Sequence, residues 1–184
     1  MFREIRRKEK QLTIDECHEI LRMAEYGTLA TIGADGYPYA VPLNYVFHNE
    51  NIYFHCAIVG HKLNNIENCS QVSFNIVTDV CVVPLIPDED VNDFGLRFNG
   101  FDTNFNSVVI FGKAKNVFER EKVDGLNALL KKFLSVMDYE KYKEAGIKYI
   151  EKSMKKTKLI KIEIVHMTGK RGIRQNTQIQ GKQH

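Results

Sequence analysis

The spacing of apolar residues changes period several times along the chain, and each change marks an element. In residues 13–26, TIDECHEILRMAEY, the residues Ile14, Ile20, Leu21 and Ala24 fall on one helical face. Thr13 with Glu16 three positions later has the form of a capping box, and Gly27 is expected to close the helix. The period then drops to two. Residues 28–33, 38–47 and 52–57 are expected to be strands, joined by tight turns at Asp35-Gly36 and Asn49-Glu50-Asn51 as in successive antiparallel hairpins. Pro38 and Pro42 lie inside the second run and cannot donate to a ladder, so that strand is expected at an edge, bulged or bent. A bent strand is what a small closed barrel needs.

A short helix is expected at 62–68, then a strand at 71–79. Residues 80–105 have no clean period, and a stretch of that length in a compact domain is usually functional or poorly ordered. NSVVIFGKAKNVF (106–118) is a strong strand pattern, and two amphipathic helices follow at 119–136 and 139–153. The last strand, 158–171, alternates through Leu159, Ile160, Ile162 and Ile164, before a polar tail, GIRQNTQIQGKQH. Six strands, antiparallel where the turns allow a reading, with helices between them, predict a mainly β protein of the α+β class built as a small barrel. One domain over 1–170 and a polar C-terminal tail over 171–184 are expected, and no internal repeat is seen.

Composition narrows the function classes. The 184 residues are 43% hydrophobic and 27% charged, the balance of an ordinary soluble globular protein. A formal net charge of +3, with the signs interleaved, gives no argument for a nucleic-acid partner. The segment FREIRRKEK lacks the apolar core of a signal peptide, and nothing approaches the roughly 18 apolar residues of a membrane span. Cys17, Cys56, Cys69 and Cys81 are scattered, which suits thiols in a reducing compartment, so a cytoplasmic location is expected.

Chemistry concentrates at the seam NIYFHCAIVGHKLNNIEN (51–68), where two histidines, a cysteine and a lysine meet between a strand and a helix. A helix beginning at Gly60-His61-Lys62 presents unpaired N–H groups and the positive end of its dipole, an arrangement that binds phosphate. Gly60 permits a tight strand-to-helix turn, Lys62 adds a full charge, and His61 can donate to the same anion or face a bound ring. The plainer alternative is a solvated lysine after an ordinary turn. His55 and Cys56 point to opposite faces of their strand, so only one of them looks directly into a given pocket. The spacing His-Cys-x4-His-x7-Cys matches no standard metal site, and no metal is expected. Cys56 as a nucleophile with His61 as base has no evident oxyanion donor or orienting carboxylate; a strand cysteine is more often a small buried hydrophobe.

DGYPYAVPLNYV, IYFHCA and GHKLNNI, in that order, resemble the 5-nitroimidazole resistance proteins of the pyridoxamine-5′-phosphate-oxidase-like, flavin-binding split-barrel superfamily. The resemblance is dense over about residues 1–80 and resumes at SVVIFGKAKNVF and at the final strand ending in MTGKR. It implies a six-stranded antiparallel split barrel with peripheral helices, paired as a homodimer with FMN (rather than FAD) at the subunit interface. Gly60, His61 and Lys62 would cradle the flavin phosphate, with Asn65 in reach by helical spacing. The backbone of Val41, Pro42, Leu43 and Asn44 would lie along the ring edge, and His55, Cys56 and Ala57 would flank the ribityl chain and ring. Ser107 and Lys170 would come from the partner subunit, although alone they are an exposed position before a core strand and a solvated strand end. The 80–105 connection is longer than the family's, and its Phe94, Phe98, Phe101 and Phe105 would form either a lid or plain packing.

The function implied is an oxidoreductase passing electrons from a transiently bound NAD(P)H to a small organic acceptor such as a nitroaromatic, with His61 as the only candidate acid. No GxGxxG fingerprint is present to hold a nicotinamide dinucleotide. The alternative is a flavin carrier without significant turnover. A haem or deazaflavin in the same fold is a third reading, with His55 and His61 as haem ligands. True pyridoxamine-phosphate oxidation would call for an arginine cluster, whereas Arg22, Arg97, Arg120, Arg171 and Arg174 are dispersed.

Overall fold

A computed structural model describes residues 2–83, 102–134 and 136–172 of the chain. Helix α1 (Ile14–Met23) starts where the capping box predicts: Glu16 N–H donates to Thr13 Oγ1 at 3.2 Å and Thr13 N–H donates to Glu16 Oε2 at 2.8 Å. It ends before Gly27, with Ala24 N–H donating to the Ile20 carbonyl. Gly27 instead lies inside strand β1 (Tyr26–Ile32), opposite Leu43, where an added Cβ would come within 2.5 Å of the Phe74 ring. Close approach, not helix termination, explains that glycine.

The chain continues through β2 (Pro38–Asn44), β3 (Val46–His48), β4 (Asn51–Ala57), α2 (His61–Asn68), β5 (Gln71–Val83), β6 (Asp102–Val117), α3 (Glu119–Phe133), α4 (Val136–Ser153) and β7 (Thr157–Arg171). The strands form one seven-stranded antiparallel sheet in the order β2-β1-β5-β6-β7-β4-β3. Six strands are expected from sequence; the seventh arises because the run 38–47 breaks at Tyr45. Its first half pairs with β1 at one edge, and its second half pairs with β4 at the other. One residue therefore joins opposite edges of the sheet, which curls so that β2 comes back against β4. Tyr45, fully buried, holds the corner by donating its hydroxyl to the Leu21 carbonyl at 3.0 Å. The prolines lie in a regular edge strand, the first of the three alternatives expected for them, and the break falls beyond them at Tyr45; the result is a split barrel with helices outside it.

The prolines also fix which way β2 faces. Proline has no N–H, so the pairs Thr28–Pro42 and Ile32–Pro38 are the non-hydrogen-bonded ones of the ladder. The backbone groups of Pro38, Ala40, Pro42 and Asn44 thus turn away from β1, leaving Ala40 and Asn44 as the N–H donors on that edge.

β5 runs past the expected end at 79 because Asp79, at φ +54°, marks a register shift between Thr78 and Cys81. Such a bulge breaks the period-two pattern without ending the strand. Of the four phenylalanines in the long connection, Phe105 lies in β6; Phe94, Phe98 and Phe101 lie outside the described residues, as do residues 173–184 of the tail.

The sheet buries apolar residues on both faces. Leu21 from α1 and Leu63 and Ile66 from α2 pack with Leu29, Phe54, Phe74, Ile76 and Ile110 inside the barrel. On the other face Leu126 and Leu129 of α3 and Ile150 of α4 pack against Tyr53, Val117 and Leu159. β4 feeds both cores by alternation: Ile52, Phe54 and Cys56 turn into the barrel, and Tyr53 turns toward α3.

Candidate functional site

The seam singled out in the sequence folds as a strand, a turn and a helix. Gly60 is the N-cap of α2 with φ +148°, a conformation that L side chains rarely adopt, and an added Cβ there would meet nothing within 4 Å. Gly60 is thus required for its dihedral and stands before open space. Leu63 and Asn64 N–H both donate to the Gly60 carbonyl, at 2.9 and 3.2 Å. The preceding N–H groups, of His61 and Lys62, have no acceptor within the helix, and the cap has no side chain to supply one. They are a pair of donors aimed outward at the positive end of an eight-residue helix.

Neighbouring strands fix the orientation of this helix. Asn65 is buried, and its Nδ2 donates to Thr31 Oγ1 on β1 at 2.9 Å. Thr31 in turn donates to the Tyr39 carbonyl on β2 at 3.4 Å. The Tyr39 ring lies against the His61 imidazole, centroids 4.3 Å apart. The Asn65 amide is therefore engaged inside the fold, where it positions α2. His61 is exposed and backed by an aromatic face.

Cys56 sits opposite Lys158 of β7 and packs against the barrel core. Burial pushes its thiol above the ordinary value, while the nearby Lys62 and Lys158 ammoniums pull it back. A thiol held protonated in this way is a poor nucleophile. Lys158 also pairs with Glu67 at 3.3 Å. Lys62 has no carboxylate partner within 4.0 Å among the described residues, so its charge is available to an anion beside the α2 donors.

The other expected site residues distribute as follows. Val41 and Leu43 turn inward against the barrel core; Pro42 and Asn44 are exposed on the free edge of β2. His55 and Ala57 are exposed on the opposite face of β4 from Cys56. His55 and Asn44 both line a groove beneath α3 and α4. Ser107 and Lys170 stand opposite each other on β6 and β7, with the Lys170 ammonium 5.4 Å from the Phe105 ring centroid. Lys170 and Lys158 stand near opposite ends of β7.

Sequence reasoning missed Tyr39, Lys158 and the helical wall. Tyr39 was within reach of it, being two residues before Val41 on the same face of a strand. Lys158 required the β4–β7 register, for which no local signal exists.

The α2 terminus has what an anionic group needs: outward N–H donors, open space above Gly60, an ammonium and an imidazole. Gly60, His61 and Lys62 thus fit a phosphate. Among the described residues no three His, Cys, Asp or Glu side chains are grouped to hold a metal ion, and no helix is long and apolar enough to cross a membrane.

Comparison with known proteins agrees with this architecture. No curated protein matches the sequence. Among solved structures, the FAD and heme binding protein from Mycobacterium smegmatis superposes with a TM-score of 0.71 at 16% identity, covering 90% of this chain and 74% of that one. The flavocytochrome Anf3 from Azotobacter vinelandii superposes at 0.70 and 14% identity over 93% and 73% of the two chains. A candidate 5-nitroimidazole antibiotic resistance protein from Bacteroides thetaiotaomicron superposes at 0.64 and 17% identity, over 87% and 85%. At these identities the likeness is one of fold. The model of the pyridoxamine 5′-phosphate oxidase family matches residues 13–171, nearly the whole described barrel with its helices, and the chain belongs to that family.

Proposed function

We propose that the protein is a flavoprotein oxidoreductase that holds FMN by its phosphate at the start of α2 and passes electrons from NAD(P)H to a small organic acceptor. The observation that carries this reading is the α2 terminus: an uncapped helix end with Gly60 at φ +148°, two outward N–H donors and the Lys62 charge. Split-barrel neighbours whose names state that they bind FAD, or FAD and heme, support a flavin as the ligand.

A bound flavin supplies the hydride chemistry. The chain supplies position and charge. His61 and Lys62 N–H, with the Lys62 ammonium, hold the phosphate. The edge of β2, relieved of ladder duty by Pro38 and Pro42, offers the Ala40 and Asn44 N–H groups and its outward carbonyls to a polar ring edge. His61, exposed and stacked on Tyr39, is the candidate proton donor. Ser107 and Lys170 enter through a homodimer, in which a second copy brings the far end of β6–β7 to the α2 donors. Ile32, Phe111 and Val165, exposed on the outer face of the sheet, are apolar surface for that contact.

Absorbance of the freshly purified protein is the first test: flavin bands are expected, and chromatography of the released flavin separates FMN from FAD. Lys62→Ala is the second. Loss of a charge-assisted contact worth roughly 1.5–3 kcal/mol lowers FMN affinity by about one to two orders of magnitude. Riboflavin, which has no phosphate, is expected to bind the variant as it binds the parent. Equal loss for both ligands overturns the phosphate assignment.

A carrier without turnover is the second reading, favoured by the raised Cys56 thiol and by the lack of a carboxylate near His61 among the described contacts. Bleaching of the flavin by NAD(P)H within seconds supports the enzyme; a flavin that stays oxidised supports the carrier.

A further inference from the structure

The end of α1, strand β3 and helices α3 and α4 enclose a hollow of about 500 Å³. It contains no residue of the α2 terminus or of the β2 edge, and it shares none with the groove that His55 lines. On α3 the two use different faces. Asp124, Asn127 and Lys131, at helical spacing, line the hollow, whereas Leu126, Leu129 and Phe133 line the groove.

Donors outnumber acceptors in this hollow. Arg22 stands in the last turn of α1, Lys131 and Lys132 in the last turn of α3, Asn127 one turn earlier, and His48 on β3. The acceptors are the His48 imidazole when neutral, the Asp124 carboxylate and the Tyr139 hydroxyl. Asp124 also faces Arg120, at 3.9 Å. Tyr139 donates its hydroxyl to Asn127 Oδ1 at 3.1 Å, which leaves the two Nδ2 protons of Asn127 with no acceptor among the described residues.

Cations at helix ends are ordinarily answered by the carbonyls there. Lys132 is: it donates to the Ala24 carbonyl at the end of α1, at 2.6 Å, and stands 3.9 Å from the Tyr45 ring centroid. Arg22 and Lys131 are not. Neither donates a hydrogen bond or meets a carboxylate within 4.0 Å among the described residues. Each lies over a ring instead, Arg22 5.8 Å from the Phe47 centroid and Lys131 6.0 Å from that of Tyr139. Two unanswered cations from two helices thus line one cavity whose remaining lining, Val46, Phe47 and Ala128, is apolar.

An excess of donors and two free positive charges select an acceptor-only dianion, and the apolar lining selects one that carries an organic group. A phosphate monoester meets both conditions. Its second ionisation, at about pH 6, leaves two charges at pH 7.5, and a guanidinium matches phosphate in a planar, two-pronged contact. We propose that this hollow binds a small phosphate monoester, with its head on the Arg22 guanidinium, the Lys131 ammonium and Asn127 Nδ2 and its organic part against Val46 and Phe47. The site stands apart from the flavoprotein reading and needs no flavin.

The test uses the protein as purified, at pH 7.5 and low ionic strength, and two probes with the same ring and a tetrahedral head. Phenyl phosphate carries two charges and benzenesulfonate one. Calorimetric titration is expected to show saturable binding of phenyl phosphate, about tenfold tighter than benzenesulfonate. Arg22→Gln and Lys131→Gln, both at exposed positions, are each expected to weaken phenyl phosphate binding by about 3- to 10-fold and to leave the urea midpoint as it was. Lys148→Gln, which removes an exposed cation of α4 outside the hollow, is expected to change nothing. No saturable binding, equal affinity of the two probes, or an equal effect of Lys148→Gln and Arg22→Gln each overturns the inference. The α2 terminus is the competing seat for a phosphate, and Lys62→Ala separates the two. Binding kept in Lys62→Ala and weakened in Arg22→Gln and Lys131→Gln places the monoester in the hollow; the reverse places it at the α2 end and overturns the inference.

Discussion

Strand β4 divides two regions that its side chains serve in turn. On one side Ile52, Phe54 and Cys56 enter the barrel, near the Lys62 and Lys158 ammoniums at the α2 end. On the other, Tyr53 and His55 face α3 and α4 and an apolar groove. His55 and Cys56 are neighbours in the chain and strangers in space. The cluster of two histidines, a cysteine and a lysine that stands out in the sequence is therefore not one site. It is split by the pleat between the cationic end of α2 and a largely apolar groove.

The largest expected effect tests the barrel side of that division. Phe54 is fully buried in the barrel core, so Phe54→Ala is expected to cost about 3–5 kcal/mol in urea unfolding. Tyr53→Phe, one residue away on the other face, removes only the hydroxyl bond to Glu121 and is expected to cost about 1 kcal/mol. A similar cost for the two would mean that the faces are not distinct in packing. In binding, Lys62→Ala is expected to weaken FMN by about one to two orders of magnitude and to leave riboflavin as it was. Equal loss of both ligands would take the phosphate away from the α2 end.

Much of the barrel was legible because its signals are local. The Thr13–Glu16 box, the Asn49-Glu50 turn with both residues at positive φ, and the edge position marked by Pro38 and Pro42 each need only a few residues to be read. The α2 terminus was legible for the same reason, since Gly60-His61-Lys62 contains its own turn and its own charge. Two things were hidden. The split of 38–47 into strands at opposite sheet edges depends on Tyr45 reaching Leu21, a contact across the fold. The groove depends on α3 and α4, some seventy residues and more beyond His55, docking on β4. Alternation told that His55 and Cys56 part company; nothing local told what His55 would face.

Lys132 ties the two regions together and gives a smaller, pH-dependent effect. From α3 it donates to the Ala24 carbonyl at the end of α1, at 2.6 Å, and stands 3.9 Å from the Tyr45 ring centroid. Burial lowers its pKa from 10.5 to about 8, with Glu25 opposing. The unfolded chain thus keeps a proton that the folded chain releases, so this group adds stability as pH rises from about 8 toward 10.5. That contribution is lost as pH falls through 8. Lys132→Met is expected to flatten the rise in urea midpoint between pH 8 and pH 10 relative to the parent. An unchanged slope would place the Lys132 ammonium in water and α3 less firmly on the barrel.

The smallest effect is on thiol chemistry, and it reads the charge on the barrel side of β4 directly. Cys17 is buried and its thiol is pushed up to about 11, chiefly by burial. Cys56 is raised by burial and partly restored by Lys62 and Lys158, whereas Cys81 is exposed. Because the thiolate is the reacting form, iodoacetamide at pH 8 is expected to label Cys81 first, Cys56 more slowly and Cys17 last, with mass spectrometry following each site. Lys62→Ala removes one of the two cations acting on Cys56, so its labelling is expected to slow by a few fold while Cys81 is unaffected. A Cys56 rate indifferent to Lys62 would show that the ammonium is held away from the barrel wall. The anion seat would then consist of the α2 N–H groups and His61 without it.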